Sequence, residues 1–112
     1  MRHNILKYIL DIQEIINEIE LVKFKTNNNF NNFRADILLQ RAVERDLEII
    51  GEAIRKITEI DASIKISSTR NIIGLRNIIS HTYDSVEPEM IWGIIQKNIP
   101  LLAAEINQIK NL

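Results

Sequence analysis

The sequence has no cysteine. That excludes a disulfide scaffold, a thiolate metal site and a cysteine nucleophile, and it fits a reducing compartment. Glycine and proline are scarce, at 3 and 2 residues, which leaves little turn chemistry for a many-stranded β fold. Neither sign of charge prevails: 14 Lys and Arg stand against 15 Asp and Glu, for a formal net charge of −1. This balance excludes a polycationic nucleic-acid coat protein and a disordered acidic tail. Long hydrophobic runs are missing too. The apolar pattern after Met1-Arg2-His3-Asn4 is broken by Lys7, Asp11 and Glu14. Neither a signal-peptide core nor a span of about 18 apolar residues is visible. The expectation is a soluble, cytoplasmic protein with no membrane partner. Walker, G-x-G-x-x-G, H-E-x-x-H and calcium-loop signatures are absent, and His3 and His81 do not make a metal site by their spacing. No cofactor and no metal are expected.

What is present suffices for one core. The chain has 112 residues, 46% of them hydrophobic, which predicts a single domain over residues 1–112. Isoleucine is abundant, yet its spacing is helical rather than alternating. Ile5, Ile9, Ile12, Ile16 and Ile19 recur every three or four residues, predicting a helix over about 3–23. Leu39, Val43, Leu47, Ile50, Ile54 and Ile57 predict a second over about 34–58, with Gly51 and Ala53 allowing close packing. Ser67-Ser68-Thr69 offer caps for a third helix over about 70–80, with Ile72, Leu75 and Ile79 facing inward. Asp84 to Glu89 reads as a stop and a new start, with Pro88 in a first turn. The fourth stripe is Trp92, Ile95, Ile99, Leu102, Ile106 and Ile109, and Pro100 is expected to kink or break it. The asparagine-rich stretch from Lys25 to Phe33 reads as a connector with room for one short helical turn, its Phe30 and Phe33 anchored on the core. The fold class is all-α, an antiparallel four-helix bundle with an extra short helix near the asparagines.

Acids at i,i+4 on the second helix, Glu44 with Glu48 and Glu48 with Glu52, read as a solvated face, and Glu52 as an ion-pair partner of Arg55 or Lys56. One segment carries chemistry: Arg76-Asn77-Ile78-Ile79-Ser80-His81-Thr82-Tyr83. Arg presents a planar fork suited to phosphate, and His exchanges protons near neutral pH. Together they suffice for metal-free RNA cleavage, with the ribose 2′-OH attacking phosphorus and Arg stabilising the charge that develops on its oxygens. From Ala62 to Tyr83 the chain holds Lys65, Arg70 and Arg76 and no acid, a local charge of +3. In an unbroken helix His81 would lie about 140° round from Arg76. Either the helix ends near Ser80, or the site is completed across a dimer interface.

Arg76, His81 and Tyr83 match the R-x4-H-x-Y signature of the HepT-like toxins of the HEPN superfamily, and polar Asn77 follows the Arg as in that family. Ile49-Ile50-Gly51-Glu52-Ala53 resembles its Gly-Glu-Ala segment, and Gln40 to Val43, Trp92 and Pro100 sit where its members carry similar residues. The likeness runs through nearly the whole chain; the asparagine-rich loop departs from it. The resemblance implies a HEPN-type helical homodimer and a metal-independent endoribonuclease, the toxin of a type VII toxin–antitoxin pair. Its partner would be a MntA-like minimal nucleotidyltransferase that transfers AMP onto the motif tyrosine, here Tyr83. Arg76 and His81 would be catalytic, Asn77 and Arg70 would bind or orient phosphate, and RNA would be the substrate. The alternative is a non-catalytic binding subunit of a nucleotidyltransferase.

Overall fold

The computed structural model describes residues 3–67 and 87–110. These residues form four helices: α1 (His3–Lys25), the short α2 (Phe30–Arg34), α3 (Ile37–Ile60) and α4 (Pro88–Lys110). No strand occurs among them. The expected third helix over 70–80, its caps Ser68 and Thr69, and the stop at Asp84 lie outside the described residues.

The α1 stripe is buried as its spacing requires: Ile5, Ile9, Ile12, Ile16, Ile19 and Val22 all enter the core. Lys23 and Lys25 occupy the last turn, where the helix dipole favours cations. Buried Thr26 ends the helix by donating its hydroxyl to the Val22 and Lys23 carbonyls at 2.9 and 3.1 Å. Asn27 and Asn28 then take left-handed backbone, φ 54° and 50°, a conformation that asparagine tolerates better than most L residues. The Asn28 N–H reaches back to the Lys23 carbonyl at 2.7 Å, closing the helix end. Asn29 caps α2 by accepting from the Asn32 N–H. The asparagine run is therefore two helix ends and the turn between them, and the expected short helix is α2.

The second long helix starts at Ile37, later than the apolar pattern suggests. Asp36 has extended backbone, and its side chain accepts from the Leu39 N–H at 3.1 Å, so Asp36 is the cap. Residues 33 and 34 belong to α2 instead. Gln40 locks this corner: its buried side-chain amide donates to the Phe33 and Arg34 carbonyls at 3.0 and 2.8 Å. These carbonyls end α2; the Phe33 carbonyl also accepts from the Asp36 N–H at 3.1 Å, so the amide adds a second bond there and reaches the Arg34 carbonyl beside it.

Pro100 does not break the last helix, which runs unbroken from Pro88 to Lys110. Pro100 is exposed. The carbonyl four residues earlier, on Gln96, loses its helical partner on the solvent side, where water can replace it. Trp92 is half-buried and packs against Phe33, ring centroids 5.1 Å apart, and Phe30, 6.0 Å apart. Ile91, beside it, takes the fully buried position.

Contacts across the helices give their directions. Gln13 on α1 donates to Asn107 on α4, and Asn28, just beyond α1, accepts from Gln96. Moving up α1 thus means moving down α4. On the other side, Tyr8 and Asp11 share a groove with Glu52 and Ala53, while Glu18 hydrogen-bonds Asp46. So α3 is also antiparallel to α1, and α3 and α4 run parallel. Joining two parallel helices needs a long return. Residues 61–87, which include the basic stretch, join the end of α3 to the start of α4.

Candidate functional site

The sequence-predicted site residues Arg70, Arg76, Asn77, His81 and Tyr83 all lie outside the described residues. The described part supplies the frame on either side of them. The chain leaves α3 at Asp61, whose side chain accepts from the Ser63 N–H and hydroxyl at 3.0 and 2.6 Å. Ile64 and Ile66 then peg it to the core, Ile66 being buried and Ile64 half-buried. It returns at Glu87, whose carbonyl accepts from the Met90 and Ile91 N–H groups as α4 begins. Pro88 and Glu89 fill the first turn, as the sequence suggests.

The Gly-Glu-Ala segment sits in the middle of α3. Gly51 and Ala53 are buried and Glu52 is half-exposed. Glu52 accepts from the Arg55 Nε at 3.4 Å, the ion pair that its i,i+3 spacing suggests. Glu52 and Ala53 also line an open groove of about 320 Å³ between α1 and α3, with Tyr8, Asp11, Arg45, Glu48 and Ile49. Arg45 bonds Glu48 at 3.4 Å, and the groove wall as a whole is acidic. It does not offer the cationic lining that a phosphate needs. Among the described residues, no three His, Cys, Asp or Glu side chains are arranged to hold a metal ion.

Two polar features escape a sequence reading. Asp46 is buried and hydrogen-bonds Glu18 on the neighbouring helix. Burial first, and then the hydrogen bond and the negative charge of Glu18, push the Asp46 carboxyl up to about 7. A faint signal exists, since Asp46 falls three residues after Val43 and four before Ile50, on the edge of the apolar stripe. Burial likewise raises the Glu44 carboxyl; Arg41 opposes this shift and Glu48 adds to it. The second feature is the contact of Ser67 with Glu105, 38 residues apart, for which no local pattern exists.

A sequence model of the family described as ribonuclease HepT-like matches residues 5–109. The chain belongs to the HepT-like family. The matched span contains the entire stretch from Arg70 to Tyr83. Among HepT-like relatives, a Methanocaldococcus jannaschii protein named "Putative RNase MJ1380" is 30% identical over 107 residues, covering 94% of this chain and 95% of the relative. "Putative RNase TTE0752" from Caldanaerobacter subterraneus is 33% identical over 100 residues, covering 88% and 89%. "Probable ribonuclease HepT" from Thermococcus cleftensis is 31% identical over 104 residues, covering 92% and 93%. No solved structure matches. The all-α bundle agrees with this family, and no helix among the described residues is long and apolar enough to cross a membrane.

Proposed function

We propose that this chain is a metal-independent endoribonuclease and the toxin of a two-protein toxin–antitoxin pair. The observation that carries the reading is the HepT-like match over residues 5–109, a span that encloses Arg76, His81 and Tyr83 in R-x4-H-x-Y order. Arg76 holds the scissile phosphate and stabilises the negative charge that builds on its non-bridging oxygens. His81 moves the proton. The 2′-oxygen bonds to phosphorus, the bond to the 5′-oxygen breaks, and the products are a 2′,3′-cyclic phosphate and a 5′-hydroxyl. Asn77 orients the phosphate and Arg70 adds charge to the RNA path. The relatives named as RNases support the substrate class, and the stretch of +3 charge without an acid supports phosphate binding there.

The active form is a homodimer in which both copies of the motif meet at one cleft. The antitoxin is a MntA-like minimal nucleotidyltransferase in the same cytoplasm, which silences the toxin by moving AMP onto Tyr83. An adenylylated phenol places a bulky phosphodiester where RNA phosphate binds. The test is cleavage of total RNA by the purified chain in EDTA, with end-group analysis. Cyclic-phosphate ends, lost in Arg76→Ala and His81→Ala variants that remain helical, are the expected result. Cleavage that requires a divalent ion would overturn the mechanism. A His81→Ala variant that keeps full cellular function would favour the binding-subunit role instead.

A further inference from the structure

α1 ends and α3 begins at the same end of the bundle, since the two helices run antiparallel and the short α2 joins them. Between Leu21 and Arg41 the chain holds four cations, Lys23, Lys25, Arg34 and Arg41, and one acid, Asp36, in a protein whose net charge is −1. Lys23 is paired with Glu20 at 3.3 Å, and the Asp36 carboxylate is occupied in capping α3. Lys25, Arg34 and Arg41 are exposed and form no ion pair among the described residues. This end also exposes four large apolar side chains. Phe24 is 79% exposed and Leu38 75%, with Leu21 and Ile37 about half exposed. Phe24 stands between Lys23 and Lys25 in the chain and three residues after Leu21, so the two apolar side chains are neighbours on α1. Asn27, in the turn, and Asn31, on α2, are exposed, and their side chains make no hydrogen bond among the described residues.

We propose that this end of the bundle is a binding surface for single-stranded RNA. Phe24 is the platform on which a base stacks, and Lys25, Arg34 and Arg41 are phosphate contacts. The inference takes its ligand from the ribonuclease reading above and its site from the described residues alone. A single strand presents a polyanionic backbone, flat base faces and polar base edges, and a surface that holds it must meet each of these. Cations without a carboxylate partner meet the first. Phe24 meets the second, and Leu21 beside it extends the apolar surface. The carboxamides of Asn27 and Asn31 each bring donors and an acceptor to a base edge. Charge argues against the other occupants. A second copy of the same patch would set cations against cations, which is unfavourable. The centre of a protein–protein contact is depleted in charge, whereas here three cations share the surface with the apolar side chains. The acidic groove at Tyr8 and Asp11 lies toward the other end of α1, so RNA is held at one end of the bundle and not along its length.

The experiment uses the full chain and a single-stranded RNA whose 2′-hydroxyls are methylated, which blocks cleavage and leaves bases and phosphates intact. Binding is read by fluorescence anisotropy between about 50 and about 200 mM salt. KM for cleavage of the unmethylated strand gives a second reading. Phe24→Ala should weaken binding about tenfold. Phe24→Leu should do the same, because it keeps apolar area without the aromatic face, and Phe24→Trp should keep the parent affinity. Lys25→Ala, Arg34→Ala and Arg41→Ala should each lower the slope of log affinity against log salt by about 0.7. Lys110→Ala, at the far end of α4, should leave that slope unchanged. Every position changed is exposed, and circular dichroism checks that each variant keeps its helices. Parent affinity in Phe24→Ala or in Phe24→Leu overturns the stacking platform. Slopes unchanged in the three cation variants, or lowered equally by Lys110→Ala, overturn the phosphate contacts. A change of oligomeric state in Phe24→Ala with RNA affinity unchanged overturns the proposal and assigns the patch to a contact between copies. A parent chain that neither binds nor cleaves RNA overturns the ribonuclease reading and this inference with it. A parent that cleaves RNA with a KM untouched by every variant overturns the surface alone.

Discussion

The carboxyl of Asp46 on α3 hydrogen-bonds the carboxyl of Glu18 on α1, and Asp46 holds its proton up to near neutrality. Burial, the hydrogen bond and the charge of Glu18 lift Asp46 to about 7 from an ordinary value of 3.8. An acid raised on folding keeps its proton in the folded state while the unfolded chain has lost it. Between about pH 4 and pH 7 the unfolded state therefore binds fewer protons, and stability falls as pH rises. The slope from one such group is at most about 1.4 kcal/mol per pH unit. Asp46→Asn supplies a permanent donor to Glu18. The variant should show a flatter stability curve than the parent from pH 4.5 to 7.5, and a higher thermal midpoint at pH 8. Parallel curves for the two proteins would show that Asp46 does not titrate in this window.

Gln40 holds the corner between α2 and α3. Its amide serves two carbonyls that end a five-residue helix, Phe33 and Arg34. Gln40→Ala should destabilise the chain by about 1 kcal/mol, because the Phe33 carbonyl keeps the Asp36 N–H and the change removes one hydrogen bond from it and one from the Arg34 carbonyl. Gln40→Glu should be worse, because it removes the donor and sets a negative charge against two carbonyl oxygens. Urea unfolding followed by circular dichroism measures both, with unchanged helix content in the folded baseline.

Phe33 is fully buried and lies 5.1 Å, centroid to centroid, from Trp92. Phe33→Ala should cost about 3–5 kcal/mol, the usual range for removing a buried aromatic ring. The chain has a single tryptophan, so its fluorescence reports this contact without ambiguity. The emission of the folded variant should shift to the red as the indole gains water. Phe30→Ala, at the half-buried neighbour, should give a smaller loss on both measures.

The core was legible because isoleucine spacing repeats the helix period. Ile5 through Ile19 on α1 and Val43 through Ile57 on α3 are buried as their spacing required. Pro88 as a helix start and Phe33 as an anchor also follow from local chemistry. The α3 boundary was less legible, because Arg34 and Ala35 satisfy a helical pattern as well as Asp36 does; the extended backbone of Asp36 decides it. Contacts between helices were not legible at all. Nothing near Glu18 points to Asp46, and nothing near Ser67 points to Glu105, since both pairings depend on how helices lie against each other. For the site, the opposite holds. The R-x4-H-x-Y spacing and the run without acids are visible in the sequence, whereas the described structure contributes the frame that holds the two ends of that run.

Pro100 offers a test of how the last helix tolerates a break in its ladder. It is exposed, and α4 already continues through it. Pro100→Ala restores a donor for the Gln96 carbonyl without changing buried surface. Proline in a helix interior costs about 3 kcal/mol against alanine, offset by up to about 1 kcal/mol through its stiffening of the unfolded chain. The variant should gain about 2 kcal/mol in urea unfolding. A neutral or negative effect would mean that the bundle packs around a bend at this position.

Tyr83 separates cleavage from its control. If Arg76 and His81 perform the reaction and Tyr83 only receives AMP, then Tyr83→Phe should cleave RNA within about threefold of the parent, since no proton or phosphate contact passes through the phenol. The same variant, produced together with a minimal nucleotidyltransferase and ATP, should gain no AMP in an intact-mass measurement and should remain toxic. The parent should gain AMP and lose activity in proportion. Growth inhibition scored with and without the partner gives the cellular counterpart: the partner should rescue cells that express the parent and fail to rescue cells that express Tyr83→Phe. Rescue of both would place the control in complex formation rather than in modification of the phenol.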